Sequence, residues 1–380
     1  NDFGRLGLGN TADRGDAAGE MGDTLASVSL GTGRTVVAVT GGGLHTCATL
    51  DTGARKCWGR NDNGQLGLGN TNDRGDVAGE MGNSLATVSL GPGRTALAVT
   101  GGDAHTCALL DNGRVRCWGD NTYGQLGLGD TNDRGDAAGE MGDGLPFVAL
   151  GSGRTARAIS AGEFHTCALL DDDTIKCWGR NNGGRLGLGD LNHRGDQPGE
   201  MGDALPAVDL GTSGAAAGIA AAQDFTCARL ETGAVKCWGT GTLGRLGTGD
   251  TTARGDQPGE MGDALPVVDL GTGRTAIDLD ASAGSFHTCA ILDDNSLKCW
   301  GYNISGPLGL GDNESRGDQP GEMGDNLPAV SLGTGRTATA VTVGDTSTCA
   351  LLDNRPAKWR GNRNPGPRLG VPGPDEAGRA

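Results

Sequence analysis

The chain has 380 residues, 73 of them glycine, and 31 Lys and Arg stand against 47 Asp and Glu, for a formal net charge of −16. No apolar run approaches the ~18 residues of a membrane-spanning helix, and the glycines follow no every-third-residue rule, which excludes collagen. Such an acidic chain lacks the clustered Lys and Arg that phosphate recognition requires, so nucleic acid is not an expected partner.

A repeat organises the whole chain. Trp58, Trp118, Trp178, Trp238, Trp300 and Trp359 are separated by 60, 60, 60, 62 and 59 residues. Met21, Met81, Met141, Met201, Met261 and Met323 form a second series, each inside Gly-Glu-Met-Gly. The units are 1–60, 61–120, 121–180, 181–240, 241–302 and 303–361, one domain over 1–361. Residues 362–380 read as a degenerate partial repeat or tail.

The second unit gives the elements in chain order. Residues 61–70 are a Gly-rich turn region, where positive φ and close backbone approach favour glycine. Residues 71–84 are polar, without apolar period, and predict a loop. Residues 85–90 (LATVSL) and 94–102 (RTALAVTGG) alternate as short strands. Residues 105–119 (HTCALLDNGRVRCWG) are two β runs around Asp111-Asn112-Gly113, a hairpin. Four short strands per unit and no helical period predict an all-β fold, a β-propeller of four-stranded blades.

The segment HTCALLDDDTIKCWGRNNGGRLGLGD (165–190) resembles the repeat of the regulator of chromosome condensation (RCC1-like) family. The pattern recurs in all six units. The resemblance implies a propeller, with seven blades the family norm, against six complete units and a remnant here. The chain starts in mid-pattern at Asn1, so a missing N-terminal unit or a trimmed fragment is expected. Family members include a nuclear exchange factor for a small GTPase, a plant photoreceptor and a secreted bacterial inhibitor of β-lactamases. The long loop is nearly the same in every unit, so no wedge of the exchange-factor kind stands out. One Trp per unit does not make the clustered tryptophans of the photoreceptor.

The cysteines carry a compartment argument. Cys47 and Cys57, Cys107 and Cys117, Cys167 and Cys177, Cys227 and Cys237, and Cys289 and Cys299 are each ten apart across a hairpin, where they face one another within disulfide reach. Each bridge contributes roughly 3 kcal/mol by loop entropy. Five bridges imply an oxidising, extracytoplasmic setting, secreted or at a cell surface of bacterial type. The sixth hairpin reads as one residue short, with Lys358 where a cysteine is expected and Cys349 free.

His45, His105, His165 and His287 share one repeat position, with Phe225 and Ser347 there in the other copies. They are expected to tie strand to turn; His193, in a long loop, is expected to be solvated. Arg-Gly-Asp occurs in every unit and reads as loop geometry, with Arg pairing to carboxylates and Asp capping the loop. The acidic loop 130–143 offers oxygen ligands for calcium but lacks EF-hand spacing. No catalytic set, metal motif or cofactor motif stands out, and no enzyme, metal or cofactor is expected. The functional expectation is a monomeric, non-catalytic protein-interaction scaffold with a protein partner of basic character. Its candidate contacts are the repeated loops, taken as an acidic ring on one face: Arg74, Asp76, Glu80 and Met81; Arg134, Asp136, Glu140 and Met141; Arg194, Asp196, Glu200 and Met201. Guanine-nucleotide exchange on a small GTPase is the alternative that the resemblance supplies.

Overall fold

A computed structural model describes residues 1–212 and 214–361; the expected partial repeat at 362–380 lies outside them. Six antiparallel sheets follow one another, each of three strands in sequence order. They are β1 (Val36–Gly41), β2 (His45–Leu50) and β3 (Arg55–Gly59); β4 (Ala96–Gly101), β5 (His105–Leu110) and β6 (Val115–Gly119); β7 (Ala156–Ala161), β8 (His165–Leu170) and β9 (Ile175–Gly179). Then come β10 (Ala216–Ala221), β11 (Phe225–Leu230) and β12 (Val235–Gly239); β13 (Ala276–Asp280), β14 (His287–Leu292) and β15 (Leu297–Gly301); β16 (Ala338–Val343), β17 (Ser347–Leu352) and β18 (Ala357–Gly361). The first strands of successive sheets pack side by side, so the sheets are the blades of a propeller.

The expected fourth strand does not form a ladder. Its segment runs extended beside the third strand of the preceding sheet, with one backbone bond per blade: Val88 N–H to Arg55 O at 2.9 Å, Val148 to Val115 at 2.9 Å, Val208 to Ile175 at 2.8 Å. The reason is in the side chains. Leu85, Val88 and Leu90 are the buried ones, and the step of three between Leu85 and Val88 breaks the two-residue period of a strand.

The apolar cores lie between blades. Cys107, Leu109, Val115 and Cys117 of the second blade share a cluster with Ala156, Ala168, Leu170 and Trp178 of the third. A single blade is too thin to bury its own faces, so neighbours complete each other. Trp118, Trp178, Trp238 and Trp300 are fully buried.

The ten hairpin cysteines face one another in register. Cys47 is bonded to Cys57, Cys107 to Cys117, Cys167 to Cys177, Cys227 to Cys237 and Cys289 to Cys299. In every pair the Cα atoms stand 4.1 Å apart, closer than the ~4.5–5.5 Å expected of facing residues. All ten side chains are buried: Cys57, Cys177, Cys237 and Cys299 on the third strands are 0% exposed, and Cys47, the most open of the ten, is 3% exposed. The bridges therefore belong to the inter-blade cores and not to the surface of the hairpins.

The sixth hairpin corrects the sequence reading. Cys349 is paired with Trp359 and Thr348 with Arg360, whereas Cys107 faces Cys117 and Thr106 faces Trp118. The hairpin has therefore kept its length. Trp359, not Lys358, occupies the cysteine position, and Arg360 occupies the tryptophan position. Trp359 is accordingly 64% exposed, and Cys349 is free and buried.

The histidines also differ from expectation: they join blade to blade. His45 Nε2 meets Thr106 Oγ1 at 2.8 Å, His105 meets Thr166 at 3.0 Å, His165 meets Thr226 at 2.9 Å and His287 meets Thr348 at 2.7 Å. Thr106 Oγ1 in turn donates to Gln65 O at 2.8 Å, which also accepts Trp118 Nε1–H at 3.0 Å. With its one proton committed, the hydroxyl must accept from the histidine, so the His45 ring carries its proton on Nε2; the same holds for His105 and His165, since Thr166 and Thr226 donate to Gln125 O and Arg185 O. Nδ1 is left bare, and it is buried without a partner in all four rings. Burial holds His45 down at about 4 and His105 and His287 at about 3, so the rings are neutral near pH 7.

Candidate protein-interaction face

The blades are near copies with scattered differences, and one face carries both variable turns and most of the chain's Phe and Tyr residues. The turn between first and second strands carries Gly43-Leu44, Asp103-Ala104, Glu163-Phe164, Gln223-Asp224, Ser285-Phe286 and Asp345-Thr346. These turns form a belt through backbone bonds: Gly43 N–H to Gly102 O at 2.9 Å, Asp103 to Glu163 at 3.1 Å, Glu163 to Ala222 and Gln223 to Ser285 at 3.3 Å. The residue that leaves each third strand is bonded beside the same turn. Arg60 N–H donates to Leu44 O, Asp120 to Ala104, Arg180 to Phe164, Thr240 to Asp224 and Tyr302 to Phe286, all at 2.9 to 3.0 Å.

Phe and Tyr total seven in the chain, and five of them (Phe3, Tyr123, Phe164, Phe286 and Tyr302) sit on this face, half-buried. The Arg180 guanidinium lies 5.0 Å from the Tyr123 ring centre and 5.4 Å from Phe164. Those two rings meet edge to face at 5.5 Å. His193 is not free in solvent: its Nδ1 accepts from Asn181 N–H at 3.1 Å, and its ring stands 5.4 Å from Tyr123. A second cluster has Arg245 4.6 Å from Phe286, with Tyr302 beside that ring at 5.9 Å. Arg245 also pairs with Asp224. Leu191 and Ile304, 50% and 60% exposed, extend the apolar surface. Leu243, at φ 63°, holds a backbone conformation costly for a leucine.

Charges of both signs share the face. Burial raises the Glu163 carboxyl above the usual range, and neighbouring Asp103 adds to it; burial also raises Asp103. Arg185, buried under the Gln223 carbonyl it donates to at 3.0 Å, is held down at about 10 by burial. Rigid aromatic rings and planar guanidinium groups, partly desolvated and held by neighbours, are the side chains that anchor protein interfaces.

The repeated loops are tied down within each unit. Each runs back along the third strand, bonded at Gly59/Arg74, Gly119/Arg134 and Gly179/Arg194. Glu80 accepts from Gly75 and Val77 N–H, Glu140 from Gly135 and Ala137, Glu200 from Gly195 and Gln197. Arg134 and Arg194 pair with Asp130 and Asp190 at 2.7 and 2.6 Å, and Arg74 lies 3.8 Å from Glu80. Asp76, Asp136 and Asp196 each bury one carboxylate oxygen, with their backbones against Gly4, Gly64 and Gly124 of the preceding segment. Met81, Met141 and Met201 pack on the inter-blade clusters. Arg-Gly-Asp is thus a clasp between segments, not a projecting adhesion loop. Among the described residues no group of three or more His, Cys, Asp or Glu converges on a metal-sized site.

The signal for this face in the sequence is aromatic residues at positions where the copies disagree: Tyr123, Phe164, Phe286 and Tyr302.

The chain matches the RCC1-like domain over residues 1–359, and it belongs to that family of propellers. The ultraviolet-B receptor UVR8 of Arabidopsis thaliana is 30% identical over 282 residues, covering 74% of this chain and 56% of the receptor. The human E3 ubiquitin-protein ligase HERC2 is 29% identical over 279 residues, covering 72% of this chain and 5% of the ligase. The chain therefore spans about half of one relative and a small part of the other. Among solved structures, human WBSCR16 superposes with a TM-score of 0.66 at 17% identity, over 87% of this chain and 77% of that one. Yeast RCC1 (Prp20), solved bound to Kap60, superposes with a TM-score of 0.64 at 18% identity, over 86% and 70%. At these identities the superpositions speak for the fold.

Proposed function

We propose that this chain is a non-catalytic protein-binding module that docks its partner on the variable face, with Tyr123, Phe164 and Arg180 as one anchor and Arg245, Phe286 and Tyr302 as the other. The observation that carries the reading is the concentration of five of seven Phe and Tyr residues on that face, held by Arg180 and Arg245. The net charge of −16 favours a basic partner with salt-sensitive association. The five cysteine pairs favour an oxidising, secreted or cell-surface setting.

The test is affinity capture from the native medium or cell surface. Arg180→Ala and Phe286→Ala should each weaken retention of the specific partner about tenfold or more, the range of a truncated interface anchor. Substitution of the exposed Val77 in a repeated loop should leave retention unchanged. Equal retention by all variants would remove the proposed face. Stimulated nucleotide release from a small GTPase would replace the scaffold reading with exchange activity.

A further inference from the structure

We propose that Asn313 is an acceptor site for N-linked glycan, the one of two eligible asparagines that the fold leaves available. The inference rests on the oxidising-compartment reading above. Glycan transfer to asparagine requires Asn-X-Ser/Thr, X not proline, on accessible chain in a secreted protein. That tripeptide occurs twice, at Asn303-Ile304-Ser305 and Asn313-Glu314-Ser315.

The structure separates the two. Asn303 is 0% exposed. Its Nδ2 donates to Asp312 O at 3.1 Å, Asp312 Oδ1 at 3.0 Å and Glu314 O at 3.0 Å, and its Oδ1 accepts from Leu308 N–H at 3.0 Å. Asn61, Asn121 and Asn181 pin their loops from the same repeat position. A sugar on the Asn303 nitrogen would displace one of these hydrogens and force bulk into a closed site.

Asn313 is exposed. Its amide makes no hydrogen bond among the described residues, and neither does the Ser315 hydroxyl. The tripeptide lies on a turn in which Asp312 Oδ1 accepts from Glu314 N–H at 3.0 Å, so the asparagine is presented outward. Thr11, Thr71, Thr131, Leu191 and Thr251 hold the equivalent position in the other copies. The eligible side chain is therefore a property of the sixth loop alone.

The donor would be a lipid-pyrophosphate-linked oligosaccharide. Asn313 Nδ2 forms a bond to the anomeric carbon as that carbon's bond to the pyrophosphate oxygen breaks. The lipid pyrophosphate leaves with the bonding pair, and the nitrogen gives up one proton to a base of the transferase.

The experiment expresses the full chain behind a secretory signal in a eukaryotic cell and maps the secreted protein by mass spectrometry, with and without peptide-N-glycosidase. A single glycan on the Asn313 peptide is expected, absent in Asn313→Gln and in Ser315→Ala, and retained in Ser315→Thr. An unmodified Asn313 in secreted, folded wild-type protein overturns the proposal, as does a glycan on Asn303. Alkylation in the same sample keeps the two readings apart. Bare Asn313 with the hairpin cysteines still oxidised removes this site and leaves the compartment standing. Ten alkylatable hairpin thiols remove the compartment reading and this site with it.

Discussion

Three of the four blade-joining histidines, His45, His105 and His165, fit because a glycine stands beside each ring. A Cβ on Gly102 would come within 2.1 Å of His105 Cε1, and one on Gly42 within 2.2 Å of His45 Cε1. In the fourth blade both members change together, to Ala222 and Phe225, and both are fully buried. The ring and its neighbour are thus one packing unit with two solutions. Gly102→Ala alone should destabilise by about 1–3 kcal/mol, the usual cost of overpacking, with chemical denaturation as the measurement. A change within about 0.3 kcal/mol would show that the junction yields freely. The sequence displayed the histidine series plainly but not its threonine partner. That threonine lies 61 residues away, and nothing local in either strand announces the bond.

At the scale of elements, the hairpins were the most legible part, because alternation, an Asp-Asn-Gly turn and ten-residue cysteine spacing all agree. The outer segment was less so, since two or three apolar residues in six fit a strand and an extended edge equally well. The sixth hairpin misled because tryptophan count and spacing suggested a deletion, whereas the pairing kept its length and changed its residues. Two substitutions separate these cases. Trp118 is fully buried and donates to Gln65 O, so Trp118→Ala should cost about 3–5 kcal/mol. Trp359 is 64% exposed, so Trp359→Ala should stay within about 0.5 kcal/mol. Comparable losses at both sites would restore Trp359 to the structural series. The variable face was readable in principle as disagreement among copies. What could not be read was that turn residue 164 and strand-exit residue 180 would lie side by side.

Across the whole molecule, the junctions between blades are not equivalent. Thr40 donates to Val99 O, while Thr100, Ser160 and Asp280 accept from Ala161, Ala221 and Val343 N–H of the next blade. At the fourth junction Ala220 and Phe225 replace both polar stitches and join an apolar cluster with Trp300. The pH dependence follows from these contacts. Burial lowers all four histidines, so their contribution is complete above about 6.5 and is lost as pH falls, toward about 4 for His45 and about 3 for His105 and His287. Asp280 has the opposite sign: burial raises it to about 7, so its protonated form is favoured and it stabilises progressively as pH falls from 7 toward 4. Glu163 and Asp103 are raised as well and share the sign of Asp280, but the four buried histidines carry the larger shifts, and stability should decline below about pH 6. Asp280→Ser, which repeats the chemistry of Ser160, should raise the melting temperature at about pH 8 and change it little at about pH 4. An equal gain at both values would exclude a buried carboxylate as the cause.

The placement of the cysteine pairs has a mechanical consequence. Every bridge spans ten residues inside a unit of about sixty, and the main apolar contacts lie between units. Drawn out from its ends, the molecule should surrender one blade at a time as a succession of force peaks. A freed unit of sixty residues would lengthen the tether by roughly 200 Å at about 3.5 Å per residue, and a closed bridge withholds about 35 Å of that. Reductant added during stretching would lengthen the steps only after a blade has come away, since the sulfurs are enclosed until then. The bridges would act as length limiters for the hairpins, while the histidine and threonine stitches set the force at which neighbours part.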